Sequence, residues 1–225
     1  METASSGDTG TRESKGDRTR GRILEAAEQL FAARGFAETR LEDVADHVGV
    51  RRAALFYHFR DKQALYEAVV SDVFADLLDR LGVVLFGTGP VPDRIDACIE
   101  VWVDAVGARP TLARFLLREA AGADPTVVSP MVDRGAEFLE SGRKLFEEGV
   151  RTGVLRPVRP DPFHVISAVV GSTVFYVAAL RALLPSMRFD PLAPSELEAH
   201  KRDVLQMVRH LLGYGTDTAM EGAIT

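Results

Sequence analysis

Cysteine is nearly absent: Cys98 stands alone among 225 residues. No intrachain disulfide can form, and zinc sites of the CxxC type are excluded. A basic excess is missing too. The net charge of −6 and the pI near 5.4 do not describe a protein that coats nucleic acid indiscriminately. No long uninterrupted apolar run occurs. The nearest approach, Phe163 to Leu184, is broken by His164, Ser167, Ser172, Thr173 and Arg181. A membrane span needs about 20 apolar residues, so this stretch is read as a helix buried on most sides. The first residues, METASSGDTGTRESKGD, are polar and do not form a secretory signal, which makes the reducing cytoplasm the expected compartment. Nucleophile elbow, phosphate loop and carboxylate dyad are all lacking, so no enzyme activity is expected. No internal repeat and no period-two strand pattern stands out.

What remains is helix-period patterning. Ile23, Ala27, Leu30 and Phe31 share a face from about Thr19 to Arg34, and Gly35 should end that helix. After Phe59, Leu65, Val69, Val73, Leu77 and Leu81 form an i, i+4 stripe on a long helix opening at Arg60-Asp61-Lys62. Gly87 to Pro90 breaks the chain. Pro92 opens a helix to about Ala108, and Pro110 starts another, with Gly122 to Pro125 as a loop. Ser129-Pro130 and Asp161-Pro162 are start signals with proline at the first helical position. Ser195 with Glu198 reads as a capping box for the last helix. The expected fold is all-α with about nine helices.

One stretch carries the function. Residues 39–62 read TRLEDVADHVGVRRAALFYHFRDK. Leu41, Val44, Ala45 and Val48 mark a short helix, with Thr39 and Glu42 as its capping box. Gly49 stops it, because glycine enters a left-handed turn without penalty. A second helix starts near Arg51 and carries Leu55, Phe56 and Phe59, expected as core. Helix, glycine turn and helix make a helix-turn-helix, whose second helix enters a DNA major groove. Arg51 and Arg52 stand where base edges are reached, and arginine donates two parallel hydrogen bonds to guanine. Ala53 and Ala54 let the backbone sit deep in the groove, and Tyr57, His58 and Lys62 can donate to phosphates. Thr39 and Arg40 complete the expected DNA-contacting set. Charges to Lys62 roughly cancel and the acidic excess lies beyond, so affinity is left to a few placed cations. Arg12, Lys15, Arg18, Arg20 and Arg22 form either a solvated tail or a basic arm near DNA.

This pattern resembles the DNA-binding domain of the tetracycline-repressor (TetR) family of bacterial regulators. The matching residues are Ile23 to Ala27, Leu30-Phe31, Gly35-Phe36, Thr39 to Ala45, Gly49-Val50, Leu55 to Phe59, Lys62 and Leu65. Arg51 stands where the family usually has Ser or Thr, Ala53 where it often has Gly, and Phe56 replaces a frequent Tyr. The resemblance implies an all-helical homodimer that represses transcription and leaves its double-stranded operator when a small molecule enters the C-terminal domain. The implied dimer joins the last two helices, through Val165, Ala168, Val169, Ser172, Val204, Val208 and Leu211. An effector pocket is expected at Leu81, Trp102, Phe115, Phe138, Phe146, Phe175 and Tyr176, since pockets form between bundled helices. Its ligand would be mostly apolar, or cationic if Glu100, Asp104, Glu119 or Glu137 faces inward. Asp43 with His47, and Glu196 with His200, have metal-ligand spacing but no third ligand. No metal, cofactor or membrane partner is expected.

The expected organisation is a disordered tail over 1–17, a helix-turn-helix domain over 18–62, a helical ligand-binding and dimerisation domain over 63–213, and a loose tail over 214–225. The competing reading is a helical ligand-carrier or interaction protein whose helix-turn-helix no longer binds DNA.

Overall fold

The structure, a computed structural model, describes residues 15–120, 130–186 and 189–215, without the side chains of 119, 120, 130–134 and 136. The expectations for Arg12, the loop at 122–125 and the cap at Ser129 lie outside the described residues. Those residues form ten helices and no strand. They are α1 (Lys15–Glu38), α2 (Leu41–Val48), α3 (Arg52–His58), α4 (Lys62–Leu85), α5 (Val91–Ala108), α6 (Thr111–Ala120), α7 (Pro130–Thr152), α8 (Phe163–Ala178), α9 (Leu180–Leu183) and α10 (Pro194–Leu212). The helix expected over Phe163–Leu184 is therefore two. The backbone opens at Ala179, at φ −113°, with neither glycine nor proline there to signal it. The chain divides into two compact units, Met1–Val69 and Val70–Thr225.

In the first unit, α1 buries Ile23, Ala27 and Phe31. Its start at Lys15 corrects the expected tail, of which residues 15–17 are helical. Gly35 does interrupt the helix, at φ 85° and ψ 174°, although helical turns resume to Glu38. An interrupted helix leaves carbonyls without amide partners. The Thr39 hydroxyl fills that need: it donates to the Gly35 carbonyl at 2.7 Å and lies 3.3 Å from that of Leu30. Thr39 is 1% exposed and its hydroxyl is turned to α1, so the expected cap of α2 does not form. The N-cap is Arg40, without a side-chain hydrogen bond. Phe31, Phe36 and Tyr66 form an aromatic cluster, with edge-on pairs at 5.1 and 5.2 Å. Over Phe36 sits the Lys62 ammonium, 4.4 Å from the ring centre, donating to the Ala37 carbonyl at 3.1 Å.

The second unit is organised by α5 and α10. Ile99, Val103 and Val106 on α5, and Val204, Val208 and Leu212 on α10, are buried. Ala193 caps α10 and Pro194 takes its first turn, so the expected Ser195–Glu198 box does not form. Glu198 instead pairs with Lys201, which also meets Asp104 at 2.6 Å. At the far end Gly213 adopts φ 64°, and an added Cβ would collide with the Arg156 carbonyl. That close approach lets the Arg156 and Val158 amides donate to the Leu212 and Leu211 carbonyls at 2.8 and 2.9 Å.

The described part of the expected C-terminal tail is anchored. Tyr214 is buried, and its hydroxyl donates to Asp96 at 2.7 Å, while Arg209 meets the same carboxylate at 2.6 Å. Burial and the adjacent carboxylate push the Tyr214 phenol well above its ordinary value, so it stays a proton donor. Residues 216–225 lie outside the described residues. Tyr214→Phe removes one donor from a half-buried carboxylate and should destabilise the protein by about 1.5–3 kcal/mol. Chemical denaturation checks this, and an unchanged midpoint would place Tyr214 outside the cooperative fold.

Candidate functional site

The reading face is built by a turn. The α2 helix ends in a Schellman arrangement: Gly49 takes φ 74°, its amide donates to Asp46, and the Val50 amide donates to Ala45 at 3.0 Å. From α1, Arg22 donates to the Val48 carbonyl at 2.7 Å, closing a group that α2 leaves open. The chain then re-enters a helix, with Arg51 extended as its N-cap. Leu55 and Phe59, four residues apart, are buried. The opposite face presents Arg51, Arg52, Ala53, Phe56 and Tyr57 to solvent, with Ala54 and His58 half-buried at its edge. Tyr57 is 84% exposed, with its ring edge-on to that of His58 at 5.0 Å. Phe56, expected as core, is 42% exposed.

Arg52 is held in place. Its guanidinium pairs with Glu42 of α2 at 2.7 Å and lies 5.3 Å from the Phe56 ring centre. The ring orients the cation, a service that needs its π face and not the hydroxyl of the tyrosine it replaces. Arg40 is exposed at the head of α2. Lys62 is not a free phosphate donor, because its ammonium is engaged with Ala37 and Phe36, and partial burial lowers its pKa. Of the expected basic arm, Arg22 braces α2 and Arg20 lies 5.3 Å from the Phe59 ring centre.

The second unit contains a cavity of about 620 Å³ among α4, α5, α6, α7, α8 and α10. Leu81, Trp102, Phe138 and Phe146 line it, as expected. Phe115 does not: it is buried in the core, and its neighbour Leu116 faces the cavity. Phe175 is 48% exposed. Tyr176 stacks on His200 at 4.2 Å and donates to the Glu196 carbonyl, outside the cavity wall. Leu78, where a ligand was expected to wedge beside Leu81, also lines the cavity, and sequence reasoning missed Phe74, Ile95 and Ile99. Phe74, Leu78, Leu81 and Leu85 recur at the three-four spacing of one face, which was the available signal. Glu100, Asp104 and Glu137 face solvent, and the Glu119 side chain lies outside the description. Among the described residues no charged side chain lines the cavity.

The expected dimer residues divide. Val165 and Val169 line the cavity, Val208 belongs both to the cavity and to the buried core, and Val204 is buried. Ala168, Ser172 and Leu211 are half-buried. The solvent face of α8 is instead Phe163, Ser167, Gly171 and Phe175, each four residues from the next. A helix apolar on every side conceals which side meets its own core. Asp43 is paired with Arg34 at 2.9 Å, and His200 hydrogen-bonds Thr173 at 3.2 Å, so both metal-spaced pairs have structural partners. Among the described residues no helix is long and apolar enough to cross a membrane, and no three possible ligands gather around a metal position.

Known proteins share this arrangement. The chain is 29% identical over 154 residues to the HTH-type transcriptional regulator RutR of Escherichia coli (strain K12), covering 68% of this chain and 71% of that protein. The ketosteroid transcriptional regulator KstR2 of Mycobacterium tuberculosis has the same fold, with a TM-score of 0.69 at 20% identity over 86% of this chain and 94% of that one. So does AibR, solved with isovaleryl coenzyme A and operator DNA, with a TM-score of 0.67 at 20% identity over 87% and 98%. The sequence profile of bacterial regulatory proteins, tetR family, matches residues 23–69. That match begins on the scaffold helix and runs past α3 into α4, so it takes in the whole reading head and not the turn alone: the chain belongs to the tetR family of bacterial regulatory proteins and is a DNA-binding transcriptional regulator.

Proposed function

We propose that this regulator is a cytoplasmic repressor. It binds a roughly palindromic double-stranded operator as a homodimer and is released by a small, mostly apolar effector. The observation that carries the DNA part is the open face of α3, where Arg51, Arg52, Ala53 and Tyr57 stand clear of the core that holds Leu55 and Phe59. One such helix reads only a few base pairs, and a two-fold pair on half-sites about one helical turn apart supplies the rest. That the same fold in AibR was solved with both operator DNA and an acyl-coenzyme A supports the pairing of the two functions.

The dimer surface is read from the Phe163–Ser167–Gly171–Phe175 face of α8, extended by exposed Leu183 and Leu184. Two aromatic rings flank small residues there, which suits close helix approach across a two-fold axis. Transmission is assigned to α4. Its first turns, with Leu65 and Val69, are buried in the reading unit, and its later ones, from Phe74 to Leu85, line the cavity. A ligand that fits one tilt of this helix better than another shifts the spacing of the two recognition helices. Only differential affinity for the two states can do so.

Arg52→Ala should cost about 1–3 kcal/mol on the operator and relax preference at one position per half-site. Equal losses on operator and random DNA, by mobility shift, would deny it a reading role. Lys62→Ala should lower thermal stability and leave the salt slope of DNA binding unchanged, because the ammonium is engaged within the fold.

Gly171→Arg tests the dimer. An added Cβ at Gly171 meets nothing within 4 Å, so the protomer should still fold. Light scattering should find it monomeric, because a buried charge without a partner is costly. A dimer of unchanged mass would move the interface elsewhere.

Effector and operator should oppose each other by the same factor, about 5–150-fold for a coupling of about 1–3 kcal/mol. Titrating effector with and without operator measures this, and equal affinities would rule out release.

A further inference from the structure

The cavity wall is almost featureless, and its two exceptions lie together. Apart from Trp102 and Cys98, every lining side chain among the described residues is hydrocarbon, proline or glycine. Both exceptions sit on α5, one turn apart, and so on the same face. The indole Nε1 of Trp102 is buried and has no hydrogen-bond partner among the described residues. Indole nitrogen donates and never accepts, and orphaned buried donors are rare enough to need a reason. Burial pushes the Cys98 thiol up to about 11, so at neutral pH it keeps its proton and is a weak donor. Arg94, the cation that acts on this thiol, is already engaged: it donates to the Val84 and Leu85 carbonyls and lies 3.9 Å from Glu148. The described wall thus offers donors but no charge and no strong acceptor.

We propose that this cavity selects a neutral, largely apolar molecule bearing a hydrogen-bond acceptor oxygen, such as a ketone or an ester, and that the Trp102 N–H receives that oxygen. This rests on reading the cavity as the effector site. A carboxylate would enter without a counter-charge and lose its hydration. A pure hydrocarbon would leave the indole donor as it stands. An alcohol would bring a donor of its own that the described wall cannot satisfy. The nitrogen has no exposure of its own, so the proposed hydrogen bond requires the indole to turn toward the cavity. That movement carries its own signal, since Trp102 is the only tryptophan in the chain.

The test uses the full-length protein and three probes of equal chain length: nonane, methyl heptyl ketone and nonanoate. Calorimetry and tryptophan emission follow binding at neutral pH. The ketone should bind about threefold to tenfold more tightly than nonane, the yield of one net hydrogen bond, and more tightly than nonanoate. It should also change Trp102 emission more than nonane does. In Trp102→Phe the ketone should lose its advantage over nonane, read as the ratio of the two affinities within the variant. Equal binding of ketone and nonane to the natural protein would overturn the inference without any variant. So would a Phe variant that keeps the preference, or nonanoate as the tightest probe. If none of the three binds, the inference falls together with the reading of the cavity as a ligand site. Ketone preference without any loss of operator affinity would keep the binding chemistry and overturn only the effector role.

Discussion

The reading head depends on one backbone angle. Gly49 sits at φ 74°, and its neighbourhood is open, with nothing within 4 Å of an added Cβ. The demand for glycine is therefore conformational and not spatial. A left-handed residue there lets the Gly49 and Val50 amides close on α2 while the chain reverses into α3. A side chain at this angle would strain the turn by about 1–2 kcal/mol. The positions of Arg51, Arg52 and Tyr57 relative to α2 follow from this turn. Thr39 serves the same geometry from the other end, by satisfying the carbonyls that the kink at Gly35 frees.

Helix existence was legible in the sequence, because burial of one face imposes a period that survives without knowledge of the partner. The three-helix head and the long α4 follow from it directly. Helix starts were less legible. Both expected capping boxes fail because a Ser or Thr three residues before Glu is only one local possibility, which a tertiary or a neighbouring signal can override. Thr39 is taken by α1, and at the start of α10 the proline at 194 sets the helix one residue earlier, with Ala193 as cap. Tyr214 was illegible as an anchor, since its partner Asp96 lies over a hundred residues away.

The α8 helix shows the limit most clearly. Val165 and Val169 have the composition of an interface and the position of a cavity wall. Phe175 has the composition of a pocket residue and the position of a surface one. When every face of a helix is apolar, periodicity carries no phase, and only the packed neighbours fix which side is which. That accounts for Phe175 and Tyr176 on α8 and not for Phe115, which lies in the core on α6. Trp102, Phe138 and Phe146 were found on α5 and α7, which show solvent one face, and the failures on α8 are those of a helix with no polar face to orient it.

Charge is organised differently from its sum. The head is nearly neutral because its cations are matched locally: Arg34 to Asp43, Arg60 to Asp61, and Arg52 to Glu42. The Arg52 pair is open, with side chains 61% and 49% exposed. Exposed pairs of this kind contribute about 0–1 kcal/mol, so exchanging Glu42 for a base edge is nearly free of penalty. The exchange is unequal between targets. A guanine returns two directed hydrogen bonds, whereas a random phosphate returns a single charge contact that Glu42 already supplies. An internal carboxylate therefore removes more from loose binding than from specific binding. Under the proposed function, the acidic excess of the remaining chain acts in the same direction, and preference for a site comes from weakening the alternatives.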